Sequence, residues 1–176
     1  AVGSDKSVGD GAGILTQIPD EYFREILLSS KISLPPFGHY GIAMLFLPKE
    51  KNLYIKCLKI IEEVLNEFNM KLFFRRLVPV DNSVLSKVMK NSAPSIEQFF
   101  IKGQNVKLKD VTLNAKLFIA GKVISNQISL LSKKYKLLQT FNVCSISNST
   151  INYKGMLLSD LVRKYFTDLK QKSFKS

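Results

Sequence analysis

Residues 7–19 read Ser7-Val8-Gly9-Asp10-Gly11-Ala12-Gly13-Ile14-Leu15-Thr16-Gln17-Ile18-Pro19, and no other stretch restricts the fold as strongly. Glycines at alternate positions bracket a single carboxylate. Glycine reaches backbone angles closed to other residues and lets a second backbone approach. Asp10 can fix the local geometry by hydrogen bonding to its own backbone two residues on. Ile14-Leu15 follows at once, so the stretch predicts a tight turn entering a buried strand. It is not a phosphate loop: no Gly-Lys-Ser/Thr follows, and the spacing departs from Gly-x-Gly-x-x-Gly.

The chain has 176 residues and is 45% hydrophobic, enough for one domain with a sizeable core. The longest apolar run, Ile42 to Leu47, is far short of a membrane span. The opening Ala1-Val2-Gly3 has neither an initiator Met nor the layout of a signal peptide, so the chain is expected to be processed or a fragment. The two cysteines, Cys57 and Cys144, suit a reducing compartment, and His39 is the single histidine. That leaves little material for a Cys/His metal site or an internal Ser-His-Asp triad, and no metal ligands are assigned. A Cys144–His39 pair is available, but a buried structural cysteine is the favoured reading. The net charge of +12 raises the question of a nucleic-acid-binding domain. Arginine occurs only at Arg24, Arg75, Arg76 and Arg163, however, and the lysines are scattered among Asn and Ile. No basic stripe with stacking aromatics emerges, so a solvated lysine surface is expected, with neither nucleic acid nor membrane as partner.

Along the chain, Pro19-Asp20-Glu21 opens a short helix whose acidic first turn suits the helix dipole. Its apolar face carries Tyr22, Phe23, Ile26 and Leu27. Gly41 to Leu47 is apolar on both faces and reads as a central strand. Glu50 to Phe68 is the clearest helix, with Leu53, Cys57, Leu58, Ile61, Val64, Leu65 and Phe68 on one stripe and Asn69 as a left-handed stop. Lys71 to Val80 has strand character with Leu72, Phe74, Val78 and Val80 on one face. Arg76 interrupts that face and requires a partner, for which a salt bridge is favoured over a ligand. Val84, Leu85 and Val88 suggest one short helix. Ser95 to Lys102 is a strand with Phe99 and Ile101 opposite Ile96 and Phe100. Asp110 to about Lys134 is a second long helix, striped by Leu113, Leu117, Ala120, Ile124, Ile128 and Leu131, in which Gly121 permits close approach of a neighbour. Phe141–Ile146 and Thr150–Tyr153, joined by Ser147-Asn148-Ser149, read as a hairpin ended by Gly155. Ser159 caps a last helix with Leu161, Val162, Tyr165, Phe166 and Leu169 on one face. Strands and helices mix without strict βαβ alternation, so the fold class is α+β.

Colinear motifs then carry a resemblance across essentially the whole chain. They are Ser7-x-Gly9-Asp10-Gly11-x-Gly13-Ile14-Leu15, Gly41-x-x-Met44-x-Phe46-Leu47-Pro48, Arg76-x-Val78-Pro79-Val80 and Pro94-x-Ile96-x-Gln98-x-Phe100-Ile101. The strongest is Cys144-Ser145-x-Ser147-x-x-Thr150-Ile151-x-Tyr153-Lys154-Gly155-Met156-Leu157. In this order they resemble the glutaminase domain of glutamate synthase, a class II glutamine amidotransferase. Gly121 and Asn152 depart from it, standing where the family usually has arginine and valine. The form Gly3-Ser4-Asp5-x-Ser7-x-Gly9-Asp10-Gly11 leans slightly towards the ferredoxin-dependent enzymes over the NADPH enzymes.

The resemblance implies an N-terminal-nucleophile hydrolase fold of four αββα layers, of which 1–176 is expected to be one incomplete domain. It implies hydrolysis of L-glutamine by an N-terminal cysteine whose own α-amino group is the base, with the ammonia passed on to 2-oxoglutarate. The nucleophile and the His-Arg-Gly segment are expected before Ala1. The His-Ser-Arg-Phe-Ser-Thr and His-Asn-Gly-Glu motifs, which bind glutamine and form the oxyanion hole, are expected after Ser176. No catalytic residue is therefore assigned within the chain, and Asp10, Gly11 and Gly13 are expected as a structural motif near the site. The resemblance further implies FMN and an iron–sulfur cluster in the full-length enzyme with none bound by this segment. It also implies the rest of the synthase chain and ferredoxin or an NADPH-oxidising subunit as partners, and a plastid stroma or bacterial cytoplasm as location. A non-catalytic paralogue of the scaffold is the first alternative, and a basic nucleic-acid-binding domain ranks behind it.

Overall fold

The computed structural model describes residues 8–104 and 112–174, and the side chains of 8–10 are outside that description. Among the described residues, six strands form two antiparallel sheets. β2 (Tyr40–Leu47) is central in a four-stranded sheet of order β3-β4-β2-β5, with β3 at Met70–Leu77, β4 at Ser95–Gly103 and β5 at Asn142–Ser147. β1 (Val8–Gln17) and β6 (Thr150–Leu157) form a separate two-stranded sheet. Five α-helices among the described residues accompany them: α1 (Asp20–Leu28), α2 (Lys51–Glu67), α3 (Lys87–Ser92), α4 (Leu113–Ser132) and α5 (Ser159–Tyr165). The α+β class follows directly.

β2 is apolar on both faces because it separates two cores. Ala43, Leu45 and Leu47 join Phe99 and Ile101 of β4 beneath α2 and α4, which contribute Cys57, Ile61, Val64, Leu117, Ile124 and Ile128. Tyr40, Ile42 and Met44 face the other way, where Ile96 and Phe100 meet Ile151, Tyr153 and Leu157 of β6 together with α1 and α5. The layers are thus helices, sheet and sheet. α2 begins at Glu50, whose carboxylate accepts the Asn52 and Leu53 N–H groups, and stops before Asn69 at φ +54°, the expected left-handed residue. In α4, Gly121 leaves room for β5: a Cβ there would lie 2.6 Å from Ile146 Cγ2. α4 itself starts at Leu113 behind Thr112, whose hydroxyl accepts the Ala115 N–H, while Asp110 lies outside the described residues.

Several expectations are corrected. The glycine stretch is a strand with a bulge between Val8 and Ala12, not a turn. Gly11 has φ +116°, a conformation that bends β1 without ending it. Nor is β1 fully buried, since Leu15 is 66% exposed. Phe141–Tyr153 is not a hairpin: β5 pairs with β2 while β6 pairs with β1. Ser147 Oγ accepts the Ser149 and Thr150 N–H groups, so the corner carries the chain from one sheet to the other. β6 runs through Gly155 to Leu157. β3 ends at Leu77, and Phe73 is an extra residue opposite β4, which turns Leu72 to the helical core and Phe74 to the inter-sheet core. Residues 82–84 and 87–92 are two short helices, separated by buried Leu85 and by Ser86, which caps the second. α5 is preceded by Leu158 without a side-chain cap, so Ser159 is its first residue, and Leu169 belongs to a following 3-10 turn at Thr167–Lys170.

Candidate functional site

The inter-sheet core contains a polar cluster built from distant elements. Arg76 reaches it from β3, Gln98 from β4, Tyr153 from β6, Tyr22 from α1, and Asp168 from the 3-10 turn after α5. Asp168 is 1% exposed. Arg76 donates Nη2–H to Asp168 Oδ2, Nη1–H to Oδ1 at 3.3 Å, and Nε–H to Gln98 Oε1 at 2.7 Å. The Tyr22 hydroxyl donates to Asp168 Oδ1 at 2.6 Å and the Tyr153 hydroxyl to Oδ2 at 2.8 Å, while Gln98 Nε2–H donates to the Tyr153 oxygen at 2.8 Å. The guanidinium also lies 5.4 Å from the Phe23 ring centroid.

The electrostatics of this cluster favour binding within it over proton transfer. Burial and the Asp168 hydrogen bond push the Tyr22 hydroxyl well above the usual phenol range, and burial with the Asp168 charge does the same to Tyr153. Burial works against the Arg76 cation, but Asp168 outweighs it and keeps the guanidinium above its ordinary value. Asp168 accepts two hydrogen bonds from Arg76 and one from each tyrosine, so both its oxygens are used inward. Every buried side-chain nitrogen and oxygen among the described residues has a partner. The cluster is therefore a tie between the two sheets. Arg76 on an apolar face is the feature that points to it, and the expected salt bridge is present. Asp168-Leu169 fits the resemblance, but nothing local pairs Asp168 with Arg76, 92 positions away.

The opposite face of the two-stranded sheet is open. Gly13 pairs with Lys154 and Leu15 with Asn152, so these four share one face, and Met156 extends it. Two adjoining cavities of about 410 and 740 Å³ lie along it and share Phe46, Thr140, Lys154, Gly155 and Met156. Gly11 and Gly13, two of the three expected motif residues, line the larger one. The Asp10 side chain lies outside the described residues. A Cβ at Gly13 would come 2.8 Å from Lys154 Cβ, so the missing side chain is what lets β1 pair closely here.

The cysteines do not form a nucleophilic centre. Burial pushes the Cys57 thiol up to about 11. It pushes Cys144 up to about 12, although Lys154 acts in the opposite direction. Both are neutral thiols near pH 7, and the thiolate is the reactive form. His39 is exposed in the loop before β2 and has no hydrogen bond to Cys144 among the described residues.

Comparison with known proteins places this geometry in a family. The family model for class-II glutamine amidotransferases matches residues 1–176. Among curated proteins, the ferredoxin-dependent glutamate synthase of Pyropia yezoensis is 37% identical over 176 residues, all of this chain and 11% of that protein. The NADH glutamate synthase of Saccharomyces cerevisiae is 36% identical, again over all of this chain and 8% of that protein. The NADPH glutamate synthase large chain of Bacillus subtilis is 33% identical over 99% of this chain and 11% of that protein. The chain thus spans about a tenth of the length of the curated relatives it matches. With a family match from its first residue to its last, the chain belongs to the class II glutamine amidotransferases.

Proposed function

We propose that residues 1–176 are one incomplete glutaminase domain of a glutamate synthase. In the longer protein this domain hydrolyses L-glutamine to glutamate and ammonia, and the ammonia is transferred to 2-oxoglutarate. The observation that carries the reading is the family match over the full chain, joined to relatives named as ferredoxin-dependent, NADH and NADPH glutamate synthases that are roughly ten times longer.

In this reading the segment supplies scaffold. Gly11 and Gly13 shape the bulged strand beside the open face, and Asp10 belongs to the same motif with no role in moving protons. The nucleophilic cysteine, its α-amino base and the oxyanion donors come from outside 1–176. Neutral Cys57 and Cys144 support that assignment, because an acyl-transfer nucleophile needs an activated thiol. FMN and an iron–sulfur cluster would act in the synthase portion. A cluster takes several thiolate ligands, and the two cysteines of this chain are too few to hold one. We favour ferredoxin as electron donor and a plastid stroma or bacterial cytoplasm as location. The Gly3-Ser4-Asp5-x-Ser7-x-Gly9-Asp10-Gly11 form supports the ferredoxin preference. The ferredoxin-, NADH- and NADPH-named relatives are too close in identity to divide on that ground.

The test is to purify the longer protein and measure ammonia release from glutamine, and glutamate formation from 2-oxoglutarate with reduced ferredoxin or NADPH. Both activities are expected. A folded longer protein without glutaminase turnover would favour the non-catalytic paralogue.

A further inference from the structure

Tyr153 and Lys154 are neighbours on β6 and point to opposite faces of the two-stranded sheet. Tyr153 enters the closed polar cluster. Lys154 enters the groove formed by the two adjoining cavities, and among the described residues it is the single charged side chain lining either of them. Its surroundings are apolar side chains, glycine backbone, the hydroxyl residues Ser92, Thr140 and Tyr165, and the neutral amides Gln139, Asn142 and Asn152, with no carboxylate among the described lining residues. Leu15 and Met156, at 66% and 64% exposure, lie on the same face. No hydrogen bond or ion pair engages the Lys154 ammonium among the described residues, whereas Asp20, Glu63, Asp160 and Asp168 each have a cationic partner.

This surface has a definite complement. Exposed Leu15 and Met156 beside glycine-flattened backbone favour an apolar segment lying along the sheet. A lone ammonium among apolar walls favours one carboxylate on that segment, because covering an unpaired charge is costly. A long ligand reservoir is also at hand: the curated relatives continue for about ten times this length. We infer that the groove is the seat of another segment of the same longer polypeptide, apolar where it meets Leu15 and Met156, and bearing one Asp or Glu that pairs with Lys154. The inference rests on the proposed function only in taking residues 1–176 as part of a longer chain; it assigns Lys154 a structural partner, not a role towards glutamine.

Zero-length carbodiimide coupling of the longer wild-type protein tests this directly. The reagent activates a carboxylate, the Lys154 amine displaces the activating group as a urea, and an amide bond records the contact for peptide mass spectrometry. One cross-link is expected, from Lys154 to an acidic residue outside 1–176, and it is lost in Lys154→Gln. With an amine-acylating reagent, Lys154 should react about tenfold more slowly than Lys59, a ratio equivalent to roughly 1.4 kcal/mol of pairing and coverage. Lys59 is a suitable reference because its side chain is 76% exposed and its contact with Glu63 is a loose surface pair at 3.8 Å, worth little in solvent. A cross-link from Lys154 only to acids within 1–176, including Asp10, would overturn the inference. So would no Lys154 cross-link together with acylation as fast as that of Lys59. Glutaminase turnover measured on the same wild-type sample separates the two readings: an inactive protein with the outside cross-link keeps this inference and loses the proposed function, and an active protein without it does the reverse.

Discussion

Asp168 and Lys154 stand on opposite sides of the same two-stranded sheet and show two ways in which a charge can be used. Asp168 is enclosed, with both oxygens committed to Arg76, Tyr22 and Tyr153. Lys154 opens onto a groove with apolar and amide walls. The first arrangement can be read as complete, because each member satisfies another. The second makes sense only with something added. The difference separates what this segment does for its own fold from what it offers to the rest of the protein.

The comparison is broken most severely at its closed end. Asp168→Ala would leave the Arg76 guanidinium buried without its carboxylate and two tyrosine hydroxyls without an acceptor. A loss of about 3–5 kcal/mol is expected, read from denaturant unfolding. A cost below 1 kcal/mol would show that the cluster is not the tie between the sheets. Gly121→Ala probes the tight side of the four-stranded sheet. Its new methyl would meet Ile146, whose β-branched side chain cannot easily move. Overpacking of about 1–3 kcal/mol should exceed the roughly 1 kcal/mol gained in helix propensity. In an Ile146→Ala background the sign should reverse, giving stabilisation.

The two thiols give a pH test of the closed regions. Both have folded pKa values raised above the ordinary 9.0, to about 11 for Cys57 and about 12 for Cys144. A raised folded pKa means that the unfolded chain loses its proton first. The associated stability is therefore fully present below pH 9 and is lost as the pH rises through about 11 and 12. Cys57→Ala and Cys144→Ala should each flatten the alkaline decline in unfolding free energy. An unchanged decline in both would contradict the burial of these thiols. The smallest effects belong to the open face. Within the 176-residue chain, Leu15→Ser and Lys154→Ala should change stability by no more than about 0.5 kcal/mol, as surface substitutions do. Larger effects there would mean that the groove is already closed by this chain.

The sequence was most legible where structure is local. The stripe and both ends of α2 follow from side-chain spacing, Glu50 and Asn69, all within about twenty residues. β2 was readable because an apolar run on both faces requires two cores. The sheet-crossing corner at Ser147–Ser149 was not: a short polar turn between two strands looks the same whether the strands pair with each other or with distant partners. The bulge at Phe73 was hidden for a similar reason, since it appears only against the register of β4. Arg76 announced its need for a partner, but chain order could not supply Asp168. The glycines announced an unusual backbone, and only the pairing of β1 with β6 turned the expected corner into a bulged strand.

The central claim is that this segment is scaffold and that the glutaminase chemistry comes from groups outside it. The most direct measurement is ammonia release from glutamine by the purified 176-residue chain and by a form extended at both ends. The extended form is expected to turn over glutamine. The short chain is expected to release none, because the nucleophile, its base and the oxyanion donors act as a unit and none is supplied by the scaffold alone. Turnover by the short chain that disappears with Cys144→Ala would contradict the account and make Cys144 the nucleophile.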